Sequence, residues 1–185
     1  NPGTFGLGLA AYRMSQAYTT QQPLVRLATK PLARIAALAG GSAHLTRLAG
    51  SEIVYLHEVR APGAVSLVTE VGVRLPALTT ASGRIMLANL PDAELRAVFT
   101  SSGERRRYSE IKAQLAAFRQ DGWASECEEV SRGQESLAVA VLDHLSRPAA
   151  ALATTFPVGS ADQRVLLSEL SAAAERLRAQ FFGNR

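Results

Sequence analysis

Residues 72–88 place the sharpest constraint on how this chain can fold. A strand-like lead, Gly72-Val73-Arg74-Leu75, runs through Pro76 into the turn Thr79-Thr80-Ala81-Ser82-Gly83, and a helix then opens on Arg84-Ile85-Met86-Leu87-Ala88. The first amides of a helix have no partners inside it, and the helix dipole adds partial positive charge at that end. Small residues let a ligand come close to the backbone, so the geometry suits a carboxylate or another small anion. The same residues also serve a helix that merely needs a cap, and on local grounds that is the commoner use.

The apolar periodicity around this stretch predicts an α+β chain. Leu7 to Tyr18 and Pro23 to Leu38 read as helices; in the second, Leu24, Leu27, Ala28, Leu32 and Ile35 share a face. Pro31 within that pattern predicts a kink or a lost backbone bond, and Gly40-Gly41 stops the helix. A meander follows: Ala43 to Leu48, then Ile53 to Val59, then Val65 to Val71. In its second strand Ile53, Tyr55 and His57 alternate against Val54, Leu56 and Glu58. A helix over about residues 83–89 comes next, and Leu90-Pro91-Asp92 starts another. Ser109 is read as the cap of a helix carrying Ile111, Leu115 and Phe118 on one face, ended by Gly122. Strands over about residues 123–130, 135–142 and 149–155 follow. The last helix is expected to begin at Ser160 with a capping box to Gln163, and Leu166, Leu170, Ala173, Leu177 and Phe181 form its stripe. Two antiparallel-looking groups of about three strands, with helices before, between and after, describe helices laid on an antiparallel sheet. They do not describe the strand-helix alternation of a dinucleotide-binding fold.

With 185 residues and 47% hydrophobic content, the chain can bury a substantial core as an ordinary soluble globule. No apolar run is long enough for a membrane helix. The opening Asn1-Pro2-Gly3-Thr4 resembles neither a signal nor a transit peptide, and without an initiator Met the chain reads as part of a longer one. Cys127, the lone cysteine, rules out an internal disulfide and fits a reducing compartment. The net charge of +4 is modest, and all but two of the 20 basic residues, Lys30 and Lys112, are arginines. Arg105-Arg106-Arg107 is read as a solvated loop rather than a nucleic-acid contact.

The usual signs of catalysis or metal binding are weak. His44, His57 and His144 lack the ligand spacing of a zinc site, so no metal is expected. There is no Gly-x-Ser-x-Gly elbow and no phosphate loop. Cys127 lies between Glu126 and Glu128, whose charges should raise its thiol pKa, so it is read as a plain strand residue. Alternation places Glu126 and Glu128 on one face, opposite Cys127 and Glu129. No enzyme activity and no cofactor are expected.

Four blocks resemble the effector-binding domain of IclR-type transcription regulators. Gly72-x-Arg74-x-Pro76, Thr79 to Arg84 and Leu87-Ala88 are similar to that family's Gly-x-x-x-Pro lead, Thr/Ser-Ala-x-Gly-Lys turn and apolar helix. Asp121-Gly122-Trp123-Ala124-Ser125-Glu126-Cys127-Glu128-Glu129 is similar to its Gly-Tyr/Trp-Ala/Ser-x-Asp-x-Glu-Glu segment. Gly133, Ser136 to Asp143 and Ala149 to Thr155, ending at Phe156-Pro157, follow at the family's spacing. Phe5-Gly6-Leu7-Gly8 looks like the Tyr-x-Leu-Gly that closes the family's winged DNA-binding module.

The resemblance implies a GAF- or profilin-like six-stranded antiparallel sheet with a ligand cavity between sheet and helices. It implies a connecting segment over residues 1–20, following a winged helix-turn-helix that is absent here, and an effector-binding domain over 21–185. It further implies a small carboxylate effector, homodimers or tetramers, DNA contact only through the winged module, and a cytoplasmic, membrane-free setting. Carried over by motif, Ala81, Ser82 and Gly83 supply amides for the carboxylate. Ala64, Leu67 and Leu75 give apolar walls. Glu126 stands where many relatives have a pocket Asp. Gln134, Ser136, Ala153 and Thr155 complete the site. Ser136 stands where relatives can have Cys, Ala153 where some have Ser, and Arg84 where Lys is common. These departures imply an aromatic or somewhat larger carboxylate. The alternative reading is a GAF-like sensor of a nucleotide or redox signal.

Overall fold

The computed structural model describes residues 23–65 and 70–183. The expected helix from Leu7 to Tyr18, the Phe5-Gly6-Leu7-Gly8 motif, the boundary near residue 20 and Leu67 all lie outside the described residues. In chain order the elements are α1 (Pro23–Ala39), β1 (Ser42–Ala49), β2 (Glu52–Arg60), β3 (Arg74–Pro76), α2 (Ala81–Ala88), α3 (Asp92–Ser101), α4 (Tyr108–Asp121), β4 (Ala124–Cys127), β5 (Gln134–Leu142), β6 (Pro148–Pro157) and α5 (Gln163–Phe182). The fold is α+β, as the patterning predicts.

All six strands join one antiparallel sheet in the order β3-β2-β1-β6-β5-β4. Its centre is the β1–β6 pair, which brings Ser42 opposite Thr155, His44 opposite Ala153 and Thr46 opposite Ala151. The two strand groups seen in the sequence therefore meet edge to edge at the middle of the sheet. Helices cover both faces. On one face α1 and α5 bury Leu32, Ile35, Leu170 and Leu177 against Leu45, Leu137, Leu152 and Phe156. On the other, α2, α3 and α4 bury Ile85, Met86, Leu87, Leu95, Ile111 and Leu115 against Ile53, Tyr55, Ala138, Ala151 and Ala153. The alanines of β5 and β6 lower the floor on this second face, so α2 can lie close to the sheet.

Several boundaries differ from the sequence reading, each for a local reason. The third described strand is Arg74–Pro76, and residues 66–69 of the expected Val65 to Val71 strand lie outside the described residues. Val65, Glu70 and Val71 are outside any strand, and Val73 N donates to Glu70 O in a turn whose Gly72 is left-handed at φ 90°. Pairing with β2 begins within that turn, where Gly72 N donates to Tyr55 O and Tyr55 N to Val73 O, and continues as Glu52, Ile53 and Val54 face Pro76, Leu75 and Arg74. Helix α1 continues through Pro31. Ser109 lies inside α4; the helix starts on the Arg107 carbonyl, which accepts from Glu110 N and Ile111 N, while Gly122 ends it in the left-handed conformation. Helix α5 is capped by Asp162, whose Oδ1 accepts from Arg164 N at 2.9 Å, and Ser160 belongs to the preceding turn.

Strand β4 stops at Cys127 rather than near residue 130. Glu128 is left-handed at φ 59°, and the Glu126 carboxylate takes the amides of Glu129 and Val130 that a longer strand would have offered to β5. Glu126 is buried and Glu128 exposed, so the two do not share a face. A bulge also breaks the alternation in β2. Thr46 pairs with Tyr55 but Leu45 pairs with His57, which leaves Leu56 unopposed. His57 therefore turns to the α1 face, where its Nε2 meets Thr29 Oγ1 at 3.3 Å, and Glu58 joins Tyr55 on the α2 face opposite His44.

Gly41 carries the tightest turn, between α1 and β1. A Cβ there would fall 2.1 Å from Thr155 O and 3.0 Å from Phe156 Cα. Gly41→Ala is expected to push β1 away from β6 at the centre of the sheet and to lower unfolding stability by about 3 kcal/mol. Urea denaturation of the two chains measures this; a change below about 0.5 kcal/mol would show that the central pair tolerates separation there.

Candidate functional site

Polar side chains on the central strands meet the start of α2 across a pocket. The pocket is lined by His44, Tyr55, Thr80, Ala81, Ser82, Glu126, Val130, Ser131, Ser136, Ala153 and Thr155, and is open to solvent at its mouth. Strand register explains its floor. Glu126 is opposite Ser136, Ser136 opposite Thr155, Thr155 opposite Ser42 and Ser42 opposite Arg60, so one row of the sheet carries five polar side chains. The next row runs Ala124, Ala138, Ala153, His44, Glu58.

The roof is the N-terminus of α2. Thr80 is its cap, in extended conformation, and its Oγ1 accepts from Gly83 N at 3.1 Å. Gly83 is thus not a free donor, contrary to the expectation that it joins Ala81 and Ser82 in holding an anion. Its role is steric: a Cβ on Gly83 would stand 2.2 Å from Ala77 O, so only glycine lets the first turn of α2 sit against the preceding chain. The Ala81 and Ser82 amides have no acceptor among the described residues. Two unpaired N–H groups at the positive end of a helix dipole therefore open on the pocket.

Arg84 fixes that roof to the wall. Its guanidinium is almost wholly buried; Nε donates to Leu78 O and Nη1 to Ser125 O, each at 2.9 Å, and Nη2 donates to the Glu129 carboxylate. Neither Arg84 nor any of its three partners lines the pocket. Glu126 closes the far wall. Oε1 accepts from Ser136 Oγ, while Oε2 accepts from Glu129 N at 3.1 Å and Val130 N at 3.3 Å. Ser136 Oγ lies 2.9 Å from Thr155 Oγ1, so carboxylate and hydroxyls form one chain. Glu126 thus holds the loop that brings Val130 and Ser131 to the pocket.

His44 and Tyr55 form the inner end. Their rings meet edge to face at 5.2 Å and 86°. His44 Nε2 is 3.0 Å from Ser42 Oγ, whereas Nδ1 is buried with no hydrogen-bond partner among the described residues. Burial lowers the His44 pKa to about 4, with Glu58 opposing and Arg60 reinforcing the shift, so the ring is neutral at ordinary pH. Burial, with the charges of Glu126 and Glu58, pushes the Tyr55 hydroxyl above its usual value, so it too is uncharged.

Six of the eleven residues expected from the sequence line this one pocket: Ala81, Ser82, Glu126, Ser136, Ala153 and Thr155. Ala64 and Gln134 do not. They border a separate cleft with Gly41, Ser42 and Pro157 that meets the pocket only at Thr155. Leu75, on the edge strand β3, packs on the outside of the α2 core. Sequence reasoning missed His44, Tyr55, Thr80, Val130 and Ser131. A signal existed for His44: Ser42, His44 and Thr46 put polar groups at every second position of β1, against the apolar Ala43 and Leu45 between them, and all three are buried. Cys127 is exposed, and partial desolvation with four neighbouring glutamates raises its thiol pKa. Among the described residues no cluster of His, Cys, Asp and Glu could hold a metal ion, and no helix is long and apolar enough to cross a membrane.

Residues 16–179 match the family model for the bacterial transcriptional regulator IclR C-terminal region. The Pca regulon regulatory protein of Pseudomonas putida is 30% identical over 192 residues, covering 97% of this chain and 66% of that protein. Against several other curated relatives the chain spans about half their length. The crystal structure of Thermotoga maritima IclR superposes with a TM-score of 0.84 at 21% identity, covering 94% of this chain and 74% of that one. The inducer-binding domain of PobR from Acinetobacter, solved as a double mutant in complex with 3-hydroxybenzoic acid, superposes with a TM-score of 0.72 at 23% identity, covering 83% of this chain and 96% of that one. At these identities the two structures speak for the fold alone. The family match over nearly the whole sequence, on the fold just described, makes this chain a member of the IclR family of bacterial transcriptional regulators, corresponding to their C-terminal region.

Proposed function

We propose that this chain is the ligand-sensing and oligomerising part of an IclR-type regulator, and that its pocket receives a small organic carboxylate. The observation that carries the reading is the pair of unpaired amides, Ala81 and Ser82, at a helix N-terminus that opens on a pocket. The 3-hydroxybenzoic acid complex of the PobR domain supports it, because an acid occupies a domain of the same fold there. A winged helix-turn-helix elsewhere in the protein would read the operator, and the ligand would favour one arrangement of paired subunits over another. The setting is the cytoplasm, and the chain binds rather than transforms its ligand. The redox-sensor alternative has little support, since Cys127 carries a raised pKa and no activating cation.

Two predictions follow from the pocket's chemistry. In a thermal-shift screen of small carboxylates, at least one acid should raise the melting midpoint with increasing concentration. Ser82→Glu, which places charge and bulk at the cradle, should abolish that shift while leaving the far-ultraviolet circular dichroism unchanged. A folded Ser82→Glu chain with an undiminished response would put the acid somewhere else.

The second concerns acidity. His44 is held neutral in the folded chain and takes up a proton near its ordinary pKa of 6.5 when unfolded, so its contribution is intact above that value and is lost as pH falls toward 4. Between about pH 7.5 and about pH 5 it should remove about 2 kcal/mol of stability. His57 shifts in the same direction, so the comparison that isolates His44 is with His44→Gln, whose unfolding free energy should fall less over the same range. Equal pH slopes for the two chains would show that folding leaves the proton affinity of His44 unchanged.

A further inference from the structure

The pocket holds one place for negative charge and nothing for a second. Among the described residues no arginine or lysine lines it. The nearest candidate, Arg84, spends its guanidinium on Leu78 O, Ser125 O and Glu129. Arg60, opposite Ser42 at the β2 end of the row that carries Glu126, Ser136 and Thr155, binds the Glu58 carboxylate through Nε at 2.8 Å and Nη2 at 3.2 Å. Besides the α2 amides the pocket presents a neutral imidazole, a phenol, hydroxyls and the Glu126 carboxylate. Within that set His44 Nδ1 is buried and unpartnered, a group whose isolation costs free energy until something bonds to it.

We infer that the effector is a monoanion: one carboxylate held by the Ala81 and Ser82 amides, and an uncharged hydrogen-bonding group, such as a hydroxyl, that pairs with His44 Nδ1, with dicarboxylates and phosphorylated acids rejected. The inference rests on the carboxylate reading above and narrows it. A second carboxylate at the inner end would lose its hydration, find no cation and face Glu126. A hydroxyl in the same place satisfies the orphaned nitrogen, and a plain hydrogen leaves it unpaired. Discrimination between hydroxylated and unsubstituted acids is therefore assigned to His44, and rejection of diacids to Glu126 together with the missing cation.

Matched acids test this by calorimetric titration of the whole chain. One series is benzoate, 3-hydroxybenzoate and isophthalate; the other is propanoate, 3-hydroxypropanoate and malonate. In each, a hydrogen is replaced by a hydroxyl and then by a second carboxylate at one position. The hydroxy acid of at least one series should bind at least about tenfold more tightly than both its companions. The advantage over the unsubstituted acid should vanish in His44→Phe, and should persist in part in His44→Gln, which keeps a hydrogen-bonding end should the Phe variant fail to fold. A diacid that binds within about threefold of its hydroxy acid, with Ser82→Glu abolishing both, would overturn the inference and leave the cradle standing. Binding by none of the six acids would remove the cradle and the inference together.

Discussion

A buried guanidinium organises this half of the molecule. Arg84 is removed from water almost entirely, and a charge so placed is costly unless its hydrogen bonds are complete. Its three bonds reach the turn before α2, strand β4 and the loop that follows β4. The turn is far in sequence from β4 and its loop, and neither side can shift without stranding the charge. The helix end that faces the pocket is thereby fixed relative to the wall carrying Glu126. A lysine could not reproduce the arrangement, because one ammonium does not offer a planar fork to acceptors on separate segments.

The sheet supplies the complement. Its register lines up Glu126, Ser136, Thr155 and Ser42 in one row, and these groups largely satisfy one another. Only His44 Nδ1 and Thr46 Oγ1 are buried side-chain atoms without a partner among the described residues, and both lie on β1, at the centre of the sheet. Polarity that would weaken an ordinary core is thus concentrated where a ligand can complete it. The opposite face of the sheet, under α1 and α5, has an almost wholly apolar cluster and carries the packing.

Much of this was legible in the sequence. Long periodic stretches located α1, α4, α5, β5 and β6, because burial on one face leaves a strong repeat. The small-residue turn before α2 announced a helix end open to an anion. What escaped were events decided by single contacts. Nothing in Glu126-Cys127-Glu128-Glu129 says that a carboxylate will capture two amides and end the strand. Nothing in Ile53 to Glu58 marks the bulge that reverses which side chains face the pocket. Tyr55 and His44 enter the site only through cross-strand register, which the sequence leaves open. Ala64 and Gln134 carried motif positions but fall in a neighbouring cleft, since one residue's offset at a strand end is enough to change the cavity it borders.

The floor of the pocket at Ala153 and its roof at Ala81 and Ser82 are made of different stuff. The roof acts through main-chain N–H groups, which every residue except proline possesses, so few substitutions could erase it. At Ala153 the floor contributes a single methyl group. Exchanging that methyl for a hydrogen, a hydroxymethyl or an isopropyl group would deepen, wet or fill the cavity while the main-chain N–H groups of the roof stayed in place. The shape of the cavity and the chemistry of its roof can therefore vary independently, one substitution at a time.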